Sequence, residues 1–310
     1  MAGLKHPLLA RLSAGDVLIS DGATGTYLQQ HGLTPGGCPE ELNLSHPGVV
    51  RGMAAAYFAA GSDMGLTNSF GGNVFRLRHY DLADRAAQIN LLAASLARSG
   101  APLGRFVIGS VGPTGELLEP LGDVSAEAVR DAFAEQAVAL EAGGVDGILV
   151  ETMSALDEAT LAVRSAREHV TGVVMATMTF HRGVRGWATS MGVTPERAIK
   201  ALGDAGAEVV GANCGVGAGR MVELARILRD LTDGPLLIHA NAGLPEVHDG
   251  RIVYPETPEV MAPHFAEMRR IGIDILGGCC GTGPAHIRAI VHAVRGGPGD
   301  PATPRGEEGY

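Results

Sequence analysis

Ile273-Asp274-Ile275-Leu276-Gly277-Gly278-Cys279-Cys280-Gly281-Thr282 is the stretch that decides the fold. Its apolar start reads as a buried strand, and its end is a glycine turn that presents two adjacent thiols. The run Glu208–Ala212 enters Asn213-Cys214-Gly215 in the same way. Further runs of this kind lie at Val17–Ser20, Asp63–Thr67, Phe106–Ser110, Gly147–Val150, Val173–Thr177 and Leu236–Ala240, which makes eight with the two above. Helical patterns separate them, at Val49–Ala60, Ala83–Arg98, Ala126–Ala142, Leu156–Glu168, Pro195–Ala205, Gly219–Leu231, Pro258–Arg270 and Pro284–Val294. Ser125 and Thr194-Pro195 supply helix starts, while Gly61, Gly143, Gly206 and Gly272 stand where helices should stop.

Alternation alone allows either a doubly wound sheet or a barrel. The strand ends separate the two. Nearly every run finishes in a polar or glycine cluster, from Asp21-Gly22-Ala23-Thr24-Gly25 to Gly278-Cys279-Cys280. A closed barrel brings all these ends to one mouth, whereas an open sheet keeps the first and last apart. We therefore expect an α/β fold, a single-domain (β/α)8 TIM barrel over residues 1–295. A frayed tail is expected over 296–310, where Gly, Pro and charge replace apolar residues.

The 310 residues carry a formal charge of −10 and only 4% aromatics, which speaks against nucleic acid as a partner. No apolar run is long enough to span a membrane, and Met1–Leu18 does not read as a signal peptide. Four cysteines do not make a disulfide framework, so reduced thiols in the cytoplasm are expected.

Cys214, Cys279 and Cys280 sit beside glycine at strand ends, a setting that suits one zinc ion with its fourth position open. Cys38, in Gly37-Cys38-Pro39, lacks that setting and is expected to have no role. Three thiolates leave zinc with a net charge of −1, a poor activator of water. They still allow it to hold a fourth thiol as thiolate, and a free thiol of pKa about 8.5 is only about 3% ionised at pH 7. Alkylation of a substrate thiol is the expected chemistry, and hydrolysis is disfavoured.

These segments, together with Thr67-Asn68-Ser69-Phe70-Gly71-Gly72-Asn73, Glu151-Thr152-Met153 and Asn241-Ala242-Gly243-Leu244-Pro245, resemble the homocysteine S-methyltransferases over about residues 15–295. The likeness is strongest to the homocysteine-binding module of cobalamin-dependent methionine synthase. It implies a zinc-dependent methyltransferase that converts homocysteine to methionine, with Cys214, Cys279 and Cys280 as metal ligands. Asp21 and Glu151 match the residues that hold the substrate ammonium. Gly22, Ala23, Thr67 and Asn68 are expected near the substrate carboxylate, and Asn213 is expected either at the substrate or ordering its turn. His239 reads as a hydrogen-bonded core residue and His286 as a structural or surface residue. Arg76, Arg78 and His79 read as a solvated helix face, with a basic rim for an anionic donor as the alternative.

No Asp-x-His-x-x-Gly segment of the cobalt-ligating kind occurs, so a corrinoid donor would be free methylcobalamin or ride on a separate corrinoid protein. The loop Gly36-Gly37-Cys38-Pro39-Glu40 lacks the tryptophan of betaine-dependent relatives. A corrinoid-linked donor is therefore expected. S-methylmethionine or betaine used directly is the alternative, and a non-catalytic zinc-binding docking subunit is a third reading.

Overall fold

The computed structural model describes residues 6–248 and 251–296, so the expected tail lies outside the described residues from 297 onward. Eight parallel strands form the barrel: β1 (Leu18–Ile19), β2 (Met64–Leu66), β3 (Phe106–Val111), β4 (Gly147–Met153), β5 (Val173–Met178), β6 (Val209–Gly217), β7 (Leu236–Asn241) and β8 (Ile275–Gly278). Each is followed by a long helix: α1 (Pro47–Ala59), α2 (Ala86–Gly100), α3 (Ala126–Ala142), α4 (Leu156–His169), α5 (Pro195–Ala205), α6 (Ala218–Leu231), α7 (Pro258–Ile271) and α8 (Pro284–Arg295). Strand order follows the chain from β2 to β8, and β8 then pairs with β1 through Leu18↔Ile275 and Ile19↔Leu276.

The remaining seam, between β2 and the two-residue β1, is closed largely by carboxylates. The Asp63 amide donates to the Ile19 carbonyl at 2.7 Å. Asp63 Oδ2 accepts the Ile19 amide at 2.8 Å, and Asp21 Oδ2 accepts the Leu66 amide at 2.7 Å. Two acidic side chains thus take the place of a ladder. Inside, Leu18, Met64, Ile108, Leu149, Met175 and Leu237 pack together, joined by Leu8 and Leu12 from an extra helix, Pro7–Ser13. A larger apolar layer lies between strands and helices, with Ile148, Val150, Leu140 and Phe133 among its members.

A fourfold device supports the N-terminal end of the barrel. Gly61-Ser62-Asp63, Gly144-Val145-Asp146, Gly206-Ala207-Glu208 and Gly272-Ile273-Asp274 each begin with a glycine at positive φ and lead into an even-numbered strand. The acid then accepts the backbone amide of the odd-numbered strand before it: Ile19, Val107, Val174 and Leu236 at 2.8, 2.7, 3.1 and 2.8 Å. An arginine from an even-numbered helix pairs with each acid, namely Arg295, Arg98, Arg167 and Arg229. The helix stop expected at Gly143 is displaced by one: Gly143 keeps a helical conformation and Gly144 carries φ 91°.

Candidate active site at the barrel mouth

Strand β6 overruns its neighbours to Gly217, and its register against β7 shifts between Asn213 and Gly217. That irregularity puts Cys214 at φ 61°, a left-handed conformation unusual outside glycine, and turns its side chain toward the mouth. Opposite, the Cys279 amide continues the β7 pairing by donating to the Ala240 carbonyl at 2.8 Å. Thr282 Oγ1 donates to the Cys279 carbonyl at 2.7 Å and fixes the turn.

The three sulfurs lie within 4.8 Å of one another, and Cys214 Sγ is 3.8 Å from Cys280 Sγ. A tetrahedral ion with sulfur at about 2.3 Å has an edge of about 3.8 Å, so the donor set fits zinc in both chemistry and spacing. Without a cation the trio shares its protons. Hydrogen bonds from Cys279 and Cys280 push Cys214 far below the usual thiol range, while the same contacts and burial push Cys279 up and carry Cys280 to about 11. A dication would let all three ionise.

The cysteines open onto a cavity of about 350 Å³. Glu151, at the end of β4, lies on its wall. Glu151 Oε1 accepts from Ser110 Oγ at 2.5 Å and Oε2 from Asn213 Nδ2 at 3.2 Å. Burial raises its carboxyl to about 7, and the nearby charges of Asp21 and Cys214 act in the same direction. Asp21 is likewise raised to about 7 by burial. Its Oδ2 is engaged by the Leu66 amide, and it stands behind the wall rather than on it.

The other expected contacts divide. Gly22, Ala23 and Asn68 line the cavity. However, the Ala23 amide is already taken by the Thr282 carbonyl at 3.2 Å, and Asn68 Nδ2 donates to the Pro39 carbonyl and to Asn43 Oδ1 at 2.7 and 3.0 Å. Thr67 lies behind the wall, where its Oγ1 meets Ser69 Oγ and accepts the Ser110 amide. Asn213 is fully buried. It holds Glu151 and accepts at Oδ1 from the Thr152 amide and Thr177 Oγ1, both at 2.8 Å. It braces Glu151 and the neighbouring strand ends.

His239 departs from expectation. It is buried and borders the cavity, but its Nε2 has no hydrogen-bond partner among the described residues, and burial lowers its pKa to about 3, keeping the ring neutral. His286 does brace: Nδ1 accepts the Gly283 amide and Nε2 faces the Glu256 carbonyl. Cys38 is buried against Glu40, with Sγ 3.4 Å from Oε2. Sequence reasoning missed Ser110, one residue short of the strand's end, and Tyr254, which no motif marks; both line the cavity.

A (β/α)8 barrel with three thiols and a buried carboxylate around one mouth cavity defines the class of protein. The chain belongs to the homocysteine S-methyltransferase family, whose pattern matches residues 18–294. It is 36% identical to methionine synthase of Mycobacterium tuberculosis over 293 residues, 90% of this chain and 24% of that protein. To methionine synthase of Mycobacterium leprae it is 35% identical over 306 residues, 94% of this chain and 25% of the relative. The chain thus spans about a quarter of the length of these relatives. Among solved structures, the metallated form of homocysteine methyltransferase MmuM from Escherichia coli shares the fold, with a TM-score of 0.78, 22% identity, and coverage of 94% of this chain and 100% of that one. No helix among the described residues is long and apolar enough to cross a membrane.

Proposed function

We propose that this chain transfers a methyl group to the thiol of homocysteine, giving methionine, with Cys214, Cys279 and Cys280 holding zinc. The observation that carries the reading is the three-sulfur cluster opening onto a small cavity whose wall bears the buried carboxylate Glu151. When bound, zinc supplies a Lewis-acid site at which a thiol ionises near neutral pH. The remaining work belongs to the chain.

Glu151 receives the substrate ammonium. A carboxylate lifted by burial to about 7 gains most from a cation placed against it, and Asp21 behind it adds a second negative charge. Ser110 and Asn213 hold Glu151 in one orientation, so the amine end of the substrate is fixed while its sulfur reaches the cysteines. Gly22 and Asn68 shape the wall beside the substrate carboxylate, and Thr67 positions Ser110. As the acceptor sulfur forms its bond to the methyl carbon, the donor's bond to that carbon breaks and the donor keeps the electron pair.

The donor in this reading is a methyl-corrinoid, free or on a separate protein. The support is the likeness to methionine synthases four times as long, in which a barrel of this size is one part among others. S-methylmethionine or betaine used directly is the second reading. A cytoplasmic location suits a site that needs reduced thiols.

Assay of the chain with homocysteine and, separately, methylcobalamin, S-methylmethionine and betaine tests this. Turnover fastest with methylcobalamin supports the first reading, and turnover fastest with an onium donor supports the second. Failure with all three would favour a docking subunit.

A further inference from the structure

The floor of the cavity lies on an apolar plug inside the barrel, where Leu18, Met64, Leu149, Met175, Leu237 and Ile275 pack together. Alternate residues of a strand share a face, so the next layer up comes two positions later: Ser20, Leu66, Glu151, Thr177, His239 and Gly277. The polar members of that layer are paired with one exception. Ser20 Oγ donates to Asp21 Oδ1 at 3.2 Å, Thr177 Oγ1 donates to Asn213 Oδ1 at 2.8 Å, and Glu151 is held by Ser110 and Asn213. His239 is 1% exposed and lies on the cavity wall, yet its Nε2 meets no partner among the described residues. A buried polar atom is rarely left in that state.

Two neighbours define where the ring lies. Gly277, its register partner on β8, has no side chain, and a Cβ there would come 2.8 Å from His239 Cδ2 and 3.0 Å from Nε2. The imidazole thus takes the space that a side chain at 277 would fill. Asn213, its register partner on β6, donates through Nδ2 to Glu151 Oε2 at 3.2 Å. His239 and Glu151 are therefore joined through one asparagine in the same layer.

A primary ammonium carries three N–H donors. Glu151 is poorly placed to take them all, because each of its oxygens already accepts a bond from the protein. Asp21 stands behind the wall with Oδ2 on the Leu66 amide. A neutral imidazole with its proton on Nδ1 presents Nε2 as a lone-pair acceptor and sets no like charge against the ammonium. We propose, on the reading that homocysteine is the acceptor and that the three cysteines hold zinc, that His239 is a second acceptor for the substrate ammonium, taking one N–H at the cavity floor while Glu151 takes another.

His239→Phe keeps a flat ring over Gly277 and removes both ring nitrogens. Calorimetry on zinc-loaded wild type and variant measures the binding of three thiols: homocysteine, γ-mercaptobutyrate, which lacks the amine, and homocysteamine, which lacks the carboxylate. All three bring the same sulfur to the cysteines, so their differences report the other end of the molecule. The variant should hold as much zinc as wild type and bind homocysteine and homocysteamine roughly ten- to thirtyfold more weakly, the effect of one hydrogen bond to a charged group. Both proteins should bind γ-mercaptobutyrate equally. His239→Leu, also without ring nitrogens, should repeat this pattern and serves if the phenylalanine does not fit. His239→Gln, which keeps an acceptor, should recover most of the lost affinity.

Unchanged affinity for homocysteine in both apolar variants would overturn the proposal. An equal loss for all three thiols would do so too, since it would mark a disturbed cavity. A loss that spares homocysteamine but includes γ-mercaptobutyrate would assign the imidazole to the carboxylate and refute its role at the amine. Wild type that takes up no zinc, or takes up zinc and binds no homocysteine, would sink the proposed function itself, whatever the variants do.

Discussion

Glu151→Gln replaces a buried ionisable carboxyl by an amide of nearly the same shape, and the structure sets the size and sign of the result. In the unfolded chain Glu151 ionises near 4.5, and in the folded protein burial holds its proton up to about 7. Between those values the folded state binds more protons. The stability contribution is therefore fully present below 4.5 and is lost as pH rises through 7. The gap is roughly 2.5 pH units, or about 3 kcal/mol. Glutamine cannot titrate, so at pH 8 the metal-free variant escapes that cost. It loses about 1 kcal/mol at every pH because its amide nitrogen confronts Asn213 Nδ2. Urea unfolding of chelator-treated, reduced protein at pH 5 and 8 measures both effects. The variant should be about as stable as wild type at pH 5, where ionisation in the unfolded chain already costs wild type about 1 kcal/mol, and about 2 kcal/mol more stable at pH 8. A stability difference that is the same at both pH values would refute the reasoning, because it would mean that Glu151 does not titrate between them.

Cys279→Ser should lose zinc by elemental analysis and lose methyl transfer with it, since two sulfurs leave the ion with an open and weaker site. Gly211→Ala should lower stability by on the order of 3 kcal/mol in urea unfolding, because its Cβ would fall onto the Leu237 carbonyl oxygen between β6 and β7. Arg98→Met and Asp146→Asn should each cost about 1–2 kcal/mol and show coupling in a double-mutant cycle. Asp146 holds both the arginine and the Val107 amide, although partial exposure of the pair moderates the loss.

Why the barrel could be read from sequence is clear at particular residues. Buried parallel strands need short apolar runs, and the runs at Phe106, Gly147, Val173 and Leu236 start where the structure starts them. Ala126–Ala142 and Pro195–Ala205 match in full because Ser125 caps the first at Ala128 and Thr194 with Pro195 opens the second. The two hairpins, His181–Gly183 with Gly186–Ala188 and Glu246–His248 with Arg251–Val253, escaped because three-residue strands carry little periodicity. The glycine-x-acid steps were in plain view at residues 61, 206 and 272. Their meaning depends on arginines distant in sequence, Arg295 lying 232 residues after Asp63 and Arg167 and Arg229 lying 41 and 45 residues before Glu208 and Asp274, pairings that only the closed barrel creates.

At the site, the cysteines were legible because residue type and strand-end position alone bring them together. Asp21 and Asn213 had the right address, but their carboxylate and amide turn out to be engaged with Leu66, Thr152 and Thr177. Sequence gives a side chain's address, not its partners. Tyr254 was hidden for the same reason, since its place on the cavity wall follows from the absence of a side chain at Gly281.

Zinc K-edge X-ray absorption on the metal-loaded protein, before and after homocysteine, puts the central idea to its most direct trial. Three sulfur neighbours at about 2.3 Å should become four when homocysteine is added. A count that stays at three with saturating homocysteine, or a zinc shell with fewer than three sulfurs at the outset, would contradict it.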